Sequence, residues 1–247
     1  MNESGTRRLR IFAGPNGSGK TTLYDYLTSK RYFKIYYHIN ADKITEELPI
    51  GLNLESYPIQ FDEQILKNYL SESPFQQKTK ESFADLISVS GKTILCRTAE
   101  NLTYLSAALA EFIRQKMLES GSSFSFESVF SHPSKVDFMR KAKDAGYKIY
   151  LYFISTQDSK INLERVLSRA SLGGHSVPPD KIIDRYNRTM ECLYDALLAT
   201  DRAFLFDNSE DQNPHQMFME MEDGEMIFNS EIVPQWFIEY VQSKVHT

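Results

Sequence analysis

A glycine-rich segment near the start of the chain sets the first expectation about its fold. Gly14-Pro-Asn-Gly-Ser-Gly-Lys-Thr21 follows the apolar run Leu9–Ala13 and precedes a helix-compatible stretch. Glycines at this spacing followed by Lys and Thr form a phosphate-binding loop when they lie between a strand and a helix. The curled backbone points N–H groups at one anion, and the helix N-terminus adds positive charge. The segment predicts binding of ATP or GTP.

The loop assigns roles to particular residues. Lys20 is expected to reach the β- and γ-phosphates, and the Thr21 hydroxyl to bind Mg²⁺. A chance glycine-rich turn is the alternative, and five fixed residues in the right context disfavour it. No third glycine completes a dinucleotide fingerprint after Gly19. The predicted ATP-binding residues are Gly14, Pro15, Asn16, Gly17, Ser18, Gly19, Lys20, Thr21 and Thr22.

Composition limits the class of protein. The 247 residues are 41% hydrophobic and 25% charged, enough apolar content for a packed core. The net charge of −5 argues against general nucleic-acid binding. Cys96 and Cys192 show no zinc-type pairing, and no apolar run approaches membrane-spanning length. The N-terminus has no signal-peptide pattern, so we expect a cytoplasmic protein without a membrane partner.

Strand and helix patterns alternate along the chain. Lys34–Asn40, Ser123–Phe130, Tyr147–Ser155 and Ala203–Asp207 have strand character, and helical patterns separate them. This alternation predicts an α/β fold of the P-loop NTPase type, with a doubly wound, mostly parallel sheet and helices on both faces. We expect one kinase-sized domain over residues 1–247.

Two segments depart from that alternation. Residues 48–99 are interrupted by prolines, and Phe61–Leu70 and Lys80–Val89 have helical spacing, which predicts a helical insertion. Residues 215–247 contain Asp223-Gly224 between two strand-like runs, which predicts a C-terminal β-hairpin followed by a helix.

Asp42 is the candidate catalytic base. It follows the second predicted strand, at the edge of an open α/β sheet where ligands bind. Phosphoryl transfer needs a group that orients or deprotonates the nucleophile. The alternative role is an N-cap for the helix near Lys43, since Asp is a favoured capping residue, and the two roles are compatible.

Glu127 lies in a strand rich in Phe and Ser. A buried carboxylate is costly unless it is paired, so Glu127 is expected to face a cleft, a metal or an arginine. Strand alternation leaves open the alternative that it lies on an exposed face.

Arg165 and Arg169 lie four residues apart on one predicted helix, so both guanidinium groups can project from one face. Forked donors suit a triphosphate whose charge shifts during transfer. A solvated face paired with Glu164 or Asp158 is the alternative. The glycine-containing loop that follows, with His175, is typical of a lid. Arg185 and Arg188, on the next helix, are weaker candidates, and the five histidines show no metal spacing.

Taken together, these segments resemble the zeta-toxin family of P-loop kinases. They are, in family order, Phe12-Ala-Gly-Pro-Asn-Gly-Ser-Gly-Lys-Thr-Thr22, Asn40-Ala-Asp-Lys-Ile44, Phe124-Ser-Phe-Glu-Ser-Val-Phe-Ser131, Ala145-Gly-Tyr-Lys-Ile149, Arg165-Val-Leu-Ser-Arg169, Gly173-Gly-His-Ser-Val-Pro178, Arg185-Tyr-Asn-Arg188 and Phe206-Asp-Asn-Ser209.

The resemblance implies an ATP- and Mg²⁺-dependent kinase of UDP-N-acetylglucosamine that is held inactive by an antitoxin protein. It also implies that Asp42 is the base, that Glu127 orients the substrate, and that Arg165 and Arg169 are lid arginines. Two other interpretations remain open: a kinase of another small acceptor such as a nucleoside, nucleotide or sugar, and a nucleotide-operated switch or ATPase.

Overall fold

The computed structural model describes residues 5–34, 37–97, 102–171, 177–210 and 215–245. Its elements, in chain order, are β1 (Arg8–Ala13), α1 (Lys20–Ser29), β2 (His38–Ile39), α2 (Ala41–Glu47), β3 (Leu52–Asn53), α3 (Glu63–Glu72), α4 (Phe83–Leu86), β4 (Ile87–Ser90), β5 (Thr93–Cys96), α5 (Leu102–Ser120), β6 (Phe124–Ser128), α6 (Ser134–Asp144), β7 (Lys148–Ser155), α7 (Ser159–Ser171), α8 (Pro179–Leu198), β8 (Arg202–Asp207), β9 (Gln216–Glu222), β10 (Glu225–Phe228), α9 (Gln235–Phe237) and α10 (Ser243–Val245).

The chain divides into two compact units. The first comprises Met1–Ile35 and Glu127–Thr247, and the second comprises Tyr36–Phe126. The division falls inside β6, whose last two residues belong to the first unit. The expectation of a single domain over the whole chain therefore stays a prediction, and each unit is described by itself.

The first unit is built on strands in the order β10-β9-β8-β7-β1. Strands β1, β7 and β8 are parallel, with Ile11 opposite Leu151 and Leu151 opposite Ala203. Ile149, Leu151, Phe153 and Ile154 on β7 are fully buried, as expected of a parallel strand covered on both faces. The predicted α/β fold with a mostly parallel sheet flanked by helices is confirmed.

A row of aromatic rings anchors the end of β1 that leads into the glycine-rich loop. Phe12 stacks on Tyr152 at 4.8 Å between ring centroids, and Tyr152 stacks on Phe204 at 5.0 Å. Leu23 and Leu27 of α1 pack in the same cluster. Because apolar contacts fix both β1 and α1, the loop between them spans two rigid ends.

The C-terminal hairpin is confirmed. Strand β9 pairs antiparallel with both β8 and β10. Asp223 and Gly224 have φ values of 49° and 88°, the left-handed conformations that a two-residue type I′ turn requires. The predicted closing helix is α9, a π-helical turn Ile238–Gln242 and α10. The indole N–H of buried Trp236 donates to the Asp207 carboxylate at 2.8 Å.

The second unit contains the parallel pair β2–β6, with Ile39 opposite Phe126. Strand β2 is shorter than the predicted Lys34–Asn40, and Ile35 and Tyr36 lie outside the described residues. This unit also contains a three-stranded antiparallel sheet in the order β3-β5-β4.

Of the two helices predicted within residues 48–99, one is present and the other is mostly wrong. The helix predicted at Phe61–Leu70 is present as α3, but Lys80–Val89 forms only the four-residue α4 before β4 begins. Ile87-Ser-Val-Ser90 alternates apolar and polar residues, the period of a strand. Gly91, at a φ of 61°, then turns the chain so that Ile87 pairs with Cys96.

Candidate active site

The predicted phosphate loop connects β1 to α1, which begins at Lys20. Gly17 and Gly19 have φ values of 77° and 97°, which favour glycine. Within the described part of the chain, no side chain caps the N-terminus of α1. An α-helix leaves its first N–H groups without intrahelical partners, so this end of α1 can receive an anion.

Neighbouring elements pack against the loop so closely that side chains are excluded at its glycines. A Cβ on Gly14 would lie 2.0 Å from the Ile154 carbonyl oxygen. A Cβ on Gly17 would lie 2.7 Å from the Asn162 carbonyl oxygen, and one on Gly19 would lie 2.6 Å from Asn208 Nδ2. Residues at the ends of β7 and β8 and on α7 therefore pack directly against the loop.

Lys20 and Thr21, the predicted phosphate and metal ligands, are the first two residues of α1. The Lys20 ammonium donates to the Pro15 carbonyl oxygen at 2.8 Å, so its side chain lies along the loop. Thr21 and Thr22 are exposed in the first turn of α1.

Glu127 is half-buried and contacts the predicted metal ligand. The Thr21 hydroxyl donates to Glu127 Oε2 at 2.8 Å. Magnesium prefers oxygen ligands at about 2.0–2.1 Å in octahedral geometry, which places adjacent ligand oxygens about 3 Å apart. The hydroxyl and carboxylate therefore fit a Mg²⁺ site by chemistry and by spacing.

Two buried asparagines that the sequence analysis did not single out also contact the loop. Asn162 Nδ2 on α7 donates to the Asn16 carbonyl oxygen at 2.6 Å, and Asn208 Nδ2, just after β8, donates to the Ser18 carbonyl oxygen at 2.9 Å. Asn208 lies in a segment that carries the family resemblance, which was its only sequence signal. Asn162 gave none, because an Asn in a helical stretch is common on exposed faces.

The two predicted lid arginines differ in their surroundings. Arg165 is half-buried, and its Nη1 donates to the Asn208 carbonyl oxygen at 2.8 Å. Arg169 is exposed on the same helix. The predicted lid residues Gly173, Gly174 and His175 lie outside the described residues. The structure thus brings Arg165, but not Arg169, into the network around the loop.

His215 lies beside the loop, next to Gly19. A Cβ on Gly19 would be 3.4 Å from His215 Nε2, and the imidazole lies 6.3 Å from the Tyr26 ring centroid. Burial, and then the positive charge of Arg165, lower the pKa of His215 below its ordinary value. Arg188 pairs with Asp184 at 2.6 Å on α8 and is exposed.

Asp42 lies in the second unit, exposed in the first turn of α2. The capping alternative for Asp42 is wrong, because Asn40 caps α2: its Oδ1 accepts from the Asp42 N–H at 2.8 Å. Asn40 precedes the helix by one residue, as an N-cap must. The catalytic role of Asp42 stays a prediction.

Across the described ranges, no three His, Cys, Asp or Glu side chains come together in a way that would hold a metal. None of the helices in those ranges combines the length and apolarity that crossing a membrane requires.

Part of the chain is similar in sequence to known proteins. A family model described as zeta toxin matches residues 91–212. An uncharacterized protein of Haemophilus influenzae is 35% identical over 63 residues, which are 26% of this chain and 45% of that protein. The chain therefore matches less than half the length of this relative.

Solved structures with TM-scores above 0.5 share the fold. The AvrRxo1-ORF1:-ORF2 complex with ATP has a TM-score of 0.56 at 16% identity, over 92% of this chain and 62% of that chain. The same complex with sulphate ions has a TM-score of 0.53 at 16% identity, over 93% of this chain and 62% of that chain. The PezAT toxin–antitoxin system of Streptococcus pneumoniae has a TM-score of 0.47 at 14% identity, over 87% and 71% of the two chains.

Proposed function

From the relationship to the zeta-toxin family through residues 91–212, we propose that this chain is an ATP-dependent kinase of a small hydroxyl-bearing molecule. The observation that carries the proposal is the contact between Thr21 and Glu127 at the end of a phosphate loop that also presents Lys20. A phosphate cradle with a hydroxyl and a carboxylate beside it has the parts that bind a metal–triphosphate complex.

In the proposed reaction, an acceptor oxygen attacks the γ-phosphorus of ATP. The bond from the γ-phosphorus to its bridging oxygen breaks, and ADP leaves. Lys20 and the loop N–H groups hold the phosphates. Arg165 and Arg169 stabilise the negative charge that develops on the phosphoryl group during transfer. Asp42 takes the proton of the attacking hydroxyl, as a general base of this reaction class does.

Thr21 and Glu127 would hold Mg²⁺, which neutralises phosphate charge when it is bound. Glu127 has a second proposed role, because the family resemblance assigns it to orienting the acceptor. The 2.8 Å contact with Thr21 supports the metal side of this assignment.

UDP-N-acetylglucosamine is the leading acceptor, and an antitoxin protein is the proposed partner. Both come from the family resemblance. A cytoplasmic location follows from the same proposal, because this sugar nucleotide is an intracellular metabolite. A nucleotide-operated switch is the second candidate function, since the loop alone supports nucleotide binding without transfer.

An ADP-release assay with ATP, Mg²⁺ and a panel of sugars, nucleosides and sugar nucleotides tests the kinase proposal. We expect release that depends on one acceptor, and a loss of about 10²–10⁴-fold in Asp42→Asn because its general base is removed. Asp85→Asn changes an acid in the first turn of another helix of the second unit and is the matched control. Acceptor-independent hydrolysis that survives Asp42→Asn would instead support the switch.

Expression in a bacterial host tests the toxin proposal separately. We expect growth arrest that Lys20→Ala relieves, because loss of the lysine removes its contact with the terminal phosphates. Normal growth with the soluble wild-type protein present would count against toxicity and leave the kinase assay to decide the chemistry.

A further inference from the structure

We infer that Asn162 and Asn208 are positioning residues that orient the peptide groups of the phosphate loop for nucleotide binding. The inference rests on the proposed nucleotide-binding function and deepens it. Asn162 is fully buried and Asn208 is 8% exposed. Each lies on an element other than the loop, and each donates to one loop carbonyl oxygen, those of Asn16 and Ser18.

The direction of these two hydrogen bonds is fixed by chemistry. A carbonyl oxygen only accepts, so each asparagine must present its NH₂ group to the loop. The side-chain oxygen of Asn208 in turn accepts a hydrogen bond from the backbone N–H of His215 at 3.3 Å. The Asn162 oxygen contacts the hydroxyl of buried Thr156. Both amides are therefore held on their oxygen side and have little freedom to flip.

Holding a carbonyl also orients the next N–H group. The described peptide bonds are trans, and in a trans peptide the C=O and the following N–H point in opposite directions. With the Asn16 and Ser18 carbonyls turned toward the asparagines, the N–H groups of Gly17 and Gly19 point away from them. The Pro15 carbonyl accepts from the Ser18 N–H at 3.2 Å and from Lys20 at 2.8 Å, which orients the Asn16 N–H in the same way.

Three loop N–H groups thus have their directions set by contacts that involve no nucleotide. Glycine permits many peptide orientations, so an unheld loop would lose conformational entropy when phosphate binds. The two asparagines reduce that loss. Asn162 also lies one helical turn before Arg165, and Arg165 donates to the Asn208 carbonyl, so the same contacts join the loop to the arginine helix α7.

Asn→Asp variants at the two positions test the inference. Aspartate keeps the acceptor oxygen that Thr156 or the backbone N–H of His215 uses and removes the donor to the loop, but it also adds a negative charge. Asn162→Leu and Asn208→Leu remove the donor without adding a charge that would repel phosphate. Asn187→Asp, at an exposed position of α8, is the matched control.

The readouts are the dissociation constants for ATP and for inorganic tripolyphosphate, measured by calorimetry with Mg²⁺, and the midpoint of thermal unfolding. We expect about tenfold weaker binding of both ligands per variant, the loss of one hydrogen-bonded contact, and no change in Asn187→Asp. A purely structural role would lower the unfolding midpoint and leave the affinity of the folded protein unchanged.

Folded variants that bind both ligands within twofold of wild type overturn the inference, provided that Lys20→Ala still weakens binding. If the asparagine variants do not fold, Thr156→Val decides, because it releases the Asn162 amide without touching the loop, and wild-type affinity in that variant has the same meaning. A wild-type protein that binds neither ligand refutes the proposed function, and the inference falls with it.

Discussion

The contact between Thr21 and Glu127 shows how one carboxylate can take part in two tasks. Glu127 lies near the end of β6. It accepts a hydrogen bond from the Thr21 hydroxyl, the group that the loop motif assigns to Mg²⁺. Its negative charge also contributes to raising the pKa of Tyr24, after burial and Asp25. A carboxylate in this position can support a metal, an acceptor or both, and the two tasks have different kinetic signatures.

Glu127→Gln separates those tasks. The amide keeps the size of the side chain and loses the charge, so we expect the Mg²⁺ concentration for half-maximal activity to rise by about tenfold, the lower range for a lost supporting ligand. A magnesium titration of ADP release measures this concentration. Asp25→Asn, at an exposed position of α1, is the control. An unchanged magnesium midpoint with a raised acceptor KM would assign Glu127 to the acceptor alone.

His215 predicts how stability depends on pH. Its pKa is lowered in the folded protein by burial and by Arg165, so the unfolded chain takes up a proton first as pH falls below about 6.5. We therefore expect the free energy of unfolding of the wild type to fall below that pH. In His215→Gln it should fall less, because the contribution of His215 is absent. Urea unfolding between pH 8 and pH 5 measures it, with the exposed His132→Gln as the control. Parallel curves for wild type and His215→Gln would contradict the prediction.

At the scale of elements, local patterns succeed where one interaction dominates. The loop motif correctly predicts a strand before the loop and a helix after it, and Asp223-Gly224 predicts the hairpin. The pattern fails at Ile87–Ser90, because a four-residue strand is too short to distinguish from the end of a helix until its partner β5 is known. Strand β5 pairs in turn with β3, which lies far away in the sequence, and such a tertiary contact is not encoded in the local pattern.

The hairpin turn provides a test of element stability. Gly224 has a φ of 88° and open space around its Cβ position, so Gly224→Ala carries only a backbone penalty of about 1–2 kcal/mol. Gly224→Asn should lose less, since Asn tolerates this conformation. Trp236, the one tryptophan of the chain, lies 5.4 Å from the Phe218 ring on β9 and reports unfolding by fluorescence. Equal stabilities for the Ala variant and wild type would contradict the assigned turn.

At the scale of the whole molecule, the sequence predicts the fold class and the loop better than the supporting contacts. The roles of Lys20 and Thr21 follow from a motif, whereas Asn162 becomes visible only when α7 is packed beside the loop. The three-stranded sheet of the second unit likewise cannot be predicted from the sequence pattern, because its strands have only two to four residues. The proposed function depends on chemistry between the loop and an acceptor, and motifs specify that chemistry only by class.

Transfer of a labelled phosphoryl group tests the central claim most directly. ATP labelled at the γ-phosphate is incubated with the protein, Mg²⁺ and UDP-N-acetylglucosamine or a bacterial metabolite extract, and the labelled products are separated. We expect the label to appear in a phosphate monoester of a small acceptor, and we expect Lys20→Ala to abolish this product. Label found only in inorganic phosphate, or remaining in ATP with every acceptor, would contradict it.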